Sequence, residues 1–254
     1  MIGAFSTSKL LAFVSMRRRV LFSGLVIITL LAGAVIYVYG RSIWVPVYQK
    51  IVGKKTVADV VSQYGENSRL RLKPFFDAAG VQYPPKAVTL LGIKDTEELE
   101  LWADTSTGHI FIRSYPIQAL SGISGPKLSE GDRQVPEGFY SIEGLNPNSL
   151  YHLSMKLNYP NAFDKKHAAI EGRDNPGTNI FIHGKALSVG CLAMGDAAIE
   201  ELFILAADVG YANIKVVITP SDPRIQPLSL NVNPQWLPTL YQQLNEHFQH
   251  YKRG

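Results

Sequence analysis

From Val20 to Gly40 the chain reads VLFSGLVIITLLAGAVIYVYG, with no charged side chain. At ~1.5 Å of rise per residue this run is about 30 Å long as a helix. That length matches the hydrocarbon core of a bilayer and predicts a transmembrane helix over 20–40. Residues 41–55 read as a juxtamembrane linker carrying Lys50, Lys54 and Lys55. Thr56 is a candidate cap for a helix with Val57, Val60, Val61 and Tyr64 on one face. A second helical piece is expected near 68–79, with Leu70, Leu72, Phe75 and Phe76 apolar, stopped by Gly80 and Pro84-Pro85. Together these predict a linker and helical stalk over 41–85.

At residue 87 the period changes to that of strands. Ala87–Ile93 is β-rich, Leu99–Trp102 alternates, and His109–Tyr115 alternates again after a turn at 104–108, which predicts a hairpin. A loop, SGISGPKLSEGDRQVPEG, precedes a short strand at Phe139–Ile142. Another strand is expected at Tyr151–Leu157, then a loop over 158–178, then a strand at Asn179–Ile182 that delivers His183. Helical spacing follows, with Asp196 as N-cap and Ile199, Leu202, Phe203, Leu205 and Ala206 on one face. Gly210 ends that helix and Ile214–Thr219 is a last strand. A terminal helix is expected from Pro234 to Lys252, with Trp236, Leu240, Leu244 and Phe248 aligned. Many short strands with few helices predict a mostly β, α+β catalytic domain over 86–220, followed by a helical extension over 221–254.

Charge sharpens this division. Four of the 25 basic residues, Lys9, Arg17, Arg18 and Arg19, fall before residue 40, where there is no acid. The remaining basic residues balance the 21 acids, so the formal charge of +4 belongs to the N-terminus and no nucleic-acid partner is expected. Residues 1–19 then read as a cytoplasmic flank, with Tyr37, Tyr39 and Trp44 as an interfacial belt and the rest of the chain exported. The exit from the apolar run lacks the small-residue pattern of a cleavage site. Met16 is an alternative start.

A single cysteine, Cys191, is present. In an exported chain it is a buried inert thiol, a partner in an intermolecular bond, or a working nucleophile. Its neighbours bear on the choice. The chain runs Ile180-Phe181-Ile182-His183-Gly184-Lys185-Ala186-Leu187-Ser188-Val189-Gly190-Cys191-Leu192-Ala193-Met194. Thiols attack as thiolates, so near neutral pH they need a base or a positive neighbour. Gly184 permits the reversal that would bring Cys191 back beside the His183 ring. Gly190 tolerates positive φ and would leave the Cys191 N–H free as an oxyanion donor. A small buried Cys and a structural His are the competing reading. The other histidines lack metal-ligand spacing, so neither a metal nor a cofactor is expected. The segment Gly184–Gly190 also lacks the order of a phosphate loop.

His183-Gly184 followed by Ser188-Val189-Gly190-Cys191 resembles the active-site signature of the YkuD-type L,D-transpeptidases. The short spacing and outlying segments resemble the YafK-like branch of that family. Those segments are Leu99–Trp102, Gly125–Asp132, Pro136–Tyr140 and Tyr159-Pro160-Asn161, and the similarity covers about 70–220. The resemblance implies a YkuD-like β-sandwich that cuts an L-to-D bond through a cysteine thioester. By position, Cys191 would be the nucleophile and His183 the general base, then acid. Gly190 and Cys191 would supply oxyanion contacts, and Ser188 with the Gly184 backbone would orient the imidazole. Commoner members carry a histidine before Gly-Cys and an arginine or asparagine two residues after the cysteine. Here those places hold Val189 and Ala193, which leaves Lys127, Arg133, Arg173 and Lys185 as candidates to hold a substrate carboxylate.

The expected function is therefore a membrane-anchored cysteine L,D-transpeptidase acting on peptidoglycan stem peptides. The expected partners are the wall, including a protein linked to it, and the membrane. A hydrolase on the same scaffold is the main alternative, and a non-catalytic wall-binding domain is a third.

Overall fold

The computed structural model describes residues 7–253, with side chains described from residue 21 onwards. The expected cytoplasmic flank therefore falls partly outside the described residues, as do the side chains of Lys9 and Arg17–Arg19. The chain divides into two compact units, Met1–Gly53 and Lys54–Gly254.

The first unit is helical. Helix α1 spans Thr7–Tyr39, and its segment Leu21–Tyr39 has a mean hydropathy of 2.5 with none of it buried. By length and composition this is one helix able to cross a membrane. The expected linker is instead largely a second helix, α2, Arg41–Val52. Its start is held to the preceding turn by Trp44, whose ring stacks on Tyr37 at 5.4 Å and whose Nε1 donates to the Tyr37 carbonyl.

In the second unit, the two expected helical pieces form one helix, α3, Val57–Ala78. Thr56 Oγ1 accepts the Asp59 N–H while the Asp59 carboxylate accepts the Thr56 N–H, a reciprocal cap of two end amides. Helix α3 packs on the core of this unit. Val60, Leu72 and Phe76 are fully buried in the core, and Arg69 and Arg71 pair with Asp208 and Glu201. Those two acids lie on helix α5, Asp196–Val209.

The strands are β1 (Ala87–Ile93), β2 (Glu98–Thr105), β3 (Gly108–Pro116), β4 (Ala119–Leu120), β5 (Gly138–Ser149), β6 (His152–Leu157), β7 (Phe181–His183), β8 (Leu192–Ala193) and β9 (Ile214–Thr219). Their hydrogen-bonded order is β3-β2-β1-β9-β5-β6-β7-β8-β4. Parallel pairs occur at β1–β9 and β7–β8. Strand β5 bridges the two halves: Gly138–Ser141 pair with β9, and the stretch from Ile142 pairs with β6.

Alternation explains why β1 and β9 are apolar throughout. Val88, Leu90, Val216 and Ile218 face one core with α3 and α5, whereas Leu91, Ile93 and Val217 face a second. Helix α6, Leu237–Phe248, fills that second core with Leu240, Leu244 and Phe248. Helices cover both faces, so the fold mixes α and β, in keeping with the expected α+β class.

Four further departures are local. The expected loop over 158–178 contains helix α4, Ala162–Ile170, capped by Asn161 and Asp164. Strand β5 is longer than the expected 139–142, and α6 is shorter than 234–252. Asp196 is the first residue of α5 and Gly195 occupies the cap position, without a side-chain cap.

Candidate active site

His183 closes β7, and Cys191 immediately precedes β8. These strands pair in parallel, Ile182 with Leu192 and His183 with Ala193. Successive side chains alternate across a strand. Ile182 and Leu192 therefore point into the core, and His183 and Cys191 both fall on the opposite face. The loop between them is closed by Met194 N–H on the His183 carbonyl (2.8 Å) and Gly195 N–H on the Lys185 carbonyl (3.0 Å).

The imidazole is buried at 3% exposure and stacks on Tyr151, with ring centroids 4.7 Å apart. Its Nδ1 lies 2.6 Å from the Gly184 carbonyl oxygen. A carbonyl only accepts, so Nδ1 carries the proton and Nε2 keeps its lone pair in the neutral ring. Burial holds the His183 pKa below the ordinary 6.5, opposed by the Gly184 hydrogen bond. Burial also raises the Cys191 thiol, while the Phe181 backbone and the Lys127 charge pull it down. The thiol makes a long contact of 3.9 Å to the Asn179 carbonyl. Both shifts favour the neutral forms of the thiol and the imidazole at neutral pH.

Gly184 is required by space: a Cβ there would meet the Tyr151 carbonyl at 2.7 Å and the Asp196 carboxylate at 2.8 Å. Gly190 is required by conformation, at φ +89°. The backbone amides beside it are not free, contrary to expectation. Cys191 N–H donates to Ser188 Oγ at 3.2 Å, and Gly190 N–H donates to Ser121 Oγ at 2.5 Å. Ser188 therefore holds the cysteine peptide rather than the imidazole; its hydroxyl donates to the Cys191 carbonyl at 2.6 Å. The Gly184 carbonyl is the ring's hydrogen-bond partner.

Three of the four cations proposed for a substrate carboxylate already have acidic partners. Lys127 is buried against Asp132 (2.5 Å), Arg173 pairs with Glu171 (2.6 Å), and Lys185 pairs with Asp196. Arg133 alone of the four is exposed without an ion pair among the described residues. Its backbone lies beside Gly190, 3.9 Å from where a Cβ would stand. A cleft of about 560 Å³ opens beside the loop, lined by Lys185, Ala186, Gln118, Arg113 and the start of α5. Among the described residues no group of three or more His, Cys, Asp or Glu could hold a metal ion.

Sequence reasoning missed Tyr151 and Ser121. Both lie far from the motif along the chain, and only the strand pairing brings them to it.

Residues 87–218 match the family model of the L,D-transpeptidase catalytic domain, YkuD. The chain belongs to this L,D-transpeptidase family. It is 34% identical over 132 residues to the Escherichia coli (strain K12) protein named "Putative L,D-transpeptidase YafK", covering 50% of this chain and 51% of that protein. The same figures hold for the protein of that name from Escherichia coli O157:H7. The chain thus spans about half the length of the curated relatives it matches. Among solved structures, a variant of the helical cell shape determining protein Pgp2 from Campylobacter jejuni aligns with a TM-score of 0.45 and 20% identity. That alignment covers 70% of this chain and 62% of the other. L,D-transpeptidase 1 of Mycobacterium tuberculosis aligns at 0.31 with 10% identity, covering 52% and 62% respectively.

Proposed function

We propose that this protein is a cysteine L,D-transpeptidase acting on peptidoglycan stem peptides, with Cys191 as nucleophile and His183 as its base. The observation that carries the reading is the fixed imidazole: Nδ1–H is committed to the Gly184 carbonyl, on the face of β7–β8 that also bears Cys191. Nε2 is left to accept the thiol proton as sulfur attacks the carbonyl carbon of an L-centre. The C–N bond to the D-residue then breaks, His183 returns the proton to the leaving amine, and a thioester remains on Cys191. An acceptor amine attacks that thioester with His183 again taking a proton, and the thiol is restored.

The buried imidazole and the raised pKa of the half-buried thiol support proton transfer at the moment of attack rather than a stored thiolate. Exposed Arg133, whose backbone lies beside Gly190, is the candidate for a substrate carboxylate. The helix segment Leu21–Tyr39 would anchor the protein in the cytoplasmic membrane, with the catalytic domain in the periplasm or wall space.

The test uses the detergent-solubilised full chain. Exposure to a carbapenem should add one acyl group to the intact protein, and Cys191→Ala should abolish both the adduct and turnover of purified wall fragments. Retained turnover in Cys191→Ala would overturn the assignment. Products formed with and without an amine acceptor separate transfer from hydrolysis by the same thioester.

A further inference from the structure

The cysteine turn is held by a residue that lies 69 positions upstream of Gly190. Strand β4 pairs antiparallel with β8, Leu120 opposite Leu192, so the next step along the chain sets Ser121 opposite Cys191. The Ser121 hydroxyl gives its own proton to the Arg133 carbonyl at 2.8 Å. That donation fixes its orientation and leaves an oxygen lone pair for Gly190 N–H, at 2.5 Å. Ser188 Oγ lies 3.5 Å away and grips the other end of the same dipeptide.

The two backbone amides next to the thiol are therefore not equivalent. Gly190 N–H is short-bonded to a hydroxyl that is itself fixed by a second strong bond. Cys191 N–H is held at 3.2 Å by a hydroxyl whose shorter bond goes to a carbonyl. A developing oxyanion, which forms stronger hydrogen bonds than a neutral hydroxyl, can draw the Cys191 amide away without undoing the turn. It cannot draw the Gly190 amide without breaking the Ser121 link.

We infer that Ser121 is a positioning residue for the cysteine turn, committing the Gly190 amide to structure and leaving the Cys191 amide as the oxyanion donor. The inference rests on the cysteine-transpeptidase reading above. Ser121 acts through the Gly190 backbone, so its loss should be felt in the transition state more than in substrate binding.

The test compares wild type, Ser121→Ala and Ser121→Thr as full-length proteins on purified wall fragments. Ser121→Ala should lower kcat about 10- to 100-fold, the scale of a misplaced reacting group. KM should stay within about 3-fold, and alkylation of Cys191 by iodoacetamide, which needs no oxyanion donor, within about 2-fold. Ser121→Thr keeps the hydroxyl and should recover most of kcat. Unchanged kcat in Ser121→Ala, or a parallel fall in kcat and alkylation that Ser121→Thr does not rescue, would overturn the inference alone. A wild type that neither turns over fragments nor takes up a carbapenem would overturn the enzymatic reading along with it.

Discussion

The Ser188 hydroxyl donates to the Cys191 carbonyl at 2.6 Å and accepts the Cys191 N–H at 3.2 Å, so one side chain holds both polar ends of the cysteine residue. A thiol on a loop is a precise nucleophile only if its backbone is fixed, and here the fixing group comes from three residues upstream. The imidazole is fixed separately by Gly184 and Tyr151. Thiol and imidazole are thus oriented by different groups, and each can be loosened without touching the other.

Removing the Ser188 hydroxyl should expose that division. In Ser188→Ala the Cys191 carbonyl loses its donor, which should cost about 1 kcal/mol of stability and about 10- to 100-fold in kcat through misplacement of the thiol. Thermal melting and steady-state kinetics check both. If melting drops and kcat is unchanged, Ser188 serves the fold and not the site.

The protonation state of the resting pair gives a prediction in pH. Burial lowers His183 and raises Cys191, so the neutral forms dominate around pH 7. Alkylation of Cys191 by iodoacetamide should therefore stay slow at neutral pH and climb above the ordinary thiol value of 9.0. Turnover should instead hold a plateau through neutral pH and fall when His183 is protonated, with a midpoint below 6.5. The same shift sets a sign for stability. The folded protein disfavours the charged ring, so this contribution is present above the unfolded value of about 6.5 and is lost as pH falls below it. Fast alkylation near pH 6 would reveal a preformed thiolate–imidazolium pair and contradict this picture.

Arg133 is the candidate cation left unpaired beside the cysteine turn. Arg133→Ala should raise KM for acidic wall fragments a few-fold, in keeping with the ~0.2–1 kcal/mol of an exposed ion pair. Cys191 alkylation should not change. Equal KM values for the two proteins would remove Arg133 from substrate binding.

The extent to which all this was legible in the sequence depends on the range of the interactions. The Thr56 cap, the β1–β3 region and the His183-to-Cys191 loop follow from neighbours along the chain, and periodicity or motif finds them. Helix α4 was missed although its Asn161 and Asp164 form a capping box, because its sparse apolar face lies in a Gly- and Pro-bounded stretch. Strands β4 and β8 have two residues each, too few for any period, yet their pairing brings Ser121 to Gly190. The partners of the cations were hidden for a similar reason. Nothing in the local sequence says that Lys185 is neutralised by Asp196 or Arg173 by Glu171, since ion pairs within a short span look the same in sequence whether formed or not.

A last prediction concerns the charges beneath the loop that carries Ser121. Lys94 and Glu137 form an ion pair at 2.8 Å with side-chain exposures of 3% and 0%. Lys94 also donates to the Gly125 and Val135 carbonyls, while Glu137 accepts the Gly125 N–H and the Tyr241 hydroxyl. The pair thus ties the 121–138 loop to β1 on one side and to α6 on the other. Two buried charges are costly to desolvate, and their attraction offsets that cost only while both are present. Glu137→Ala should therefore destabilise the domain by about 3–5 kcal/mol, because it leaves Lys94 buried without its counter-charge. The double substitution Lys94→Met with Glu137→Leu removes both charges and should recover a large part of that loss. Chemical denaturation of the wild type, Glu137→Ala, the single substitutions Lys94→Met and Glu137→Leu, and the double variant measures the difference. A double variant as unstable as the sum of its single substitutions would mean that the side chains act independently and that the loop is held by its other bonds.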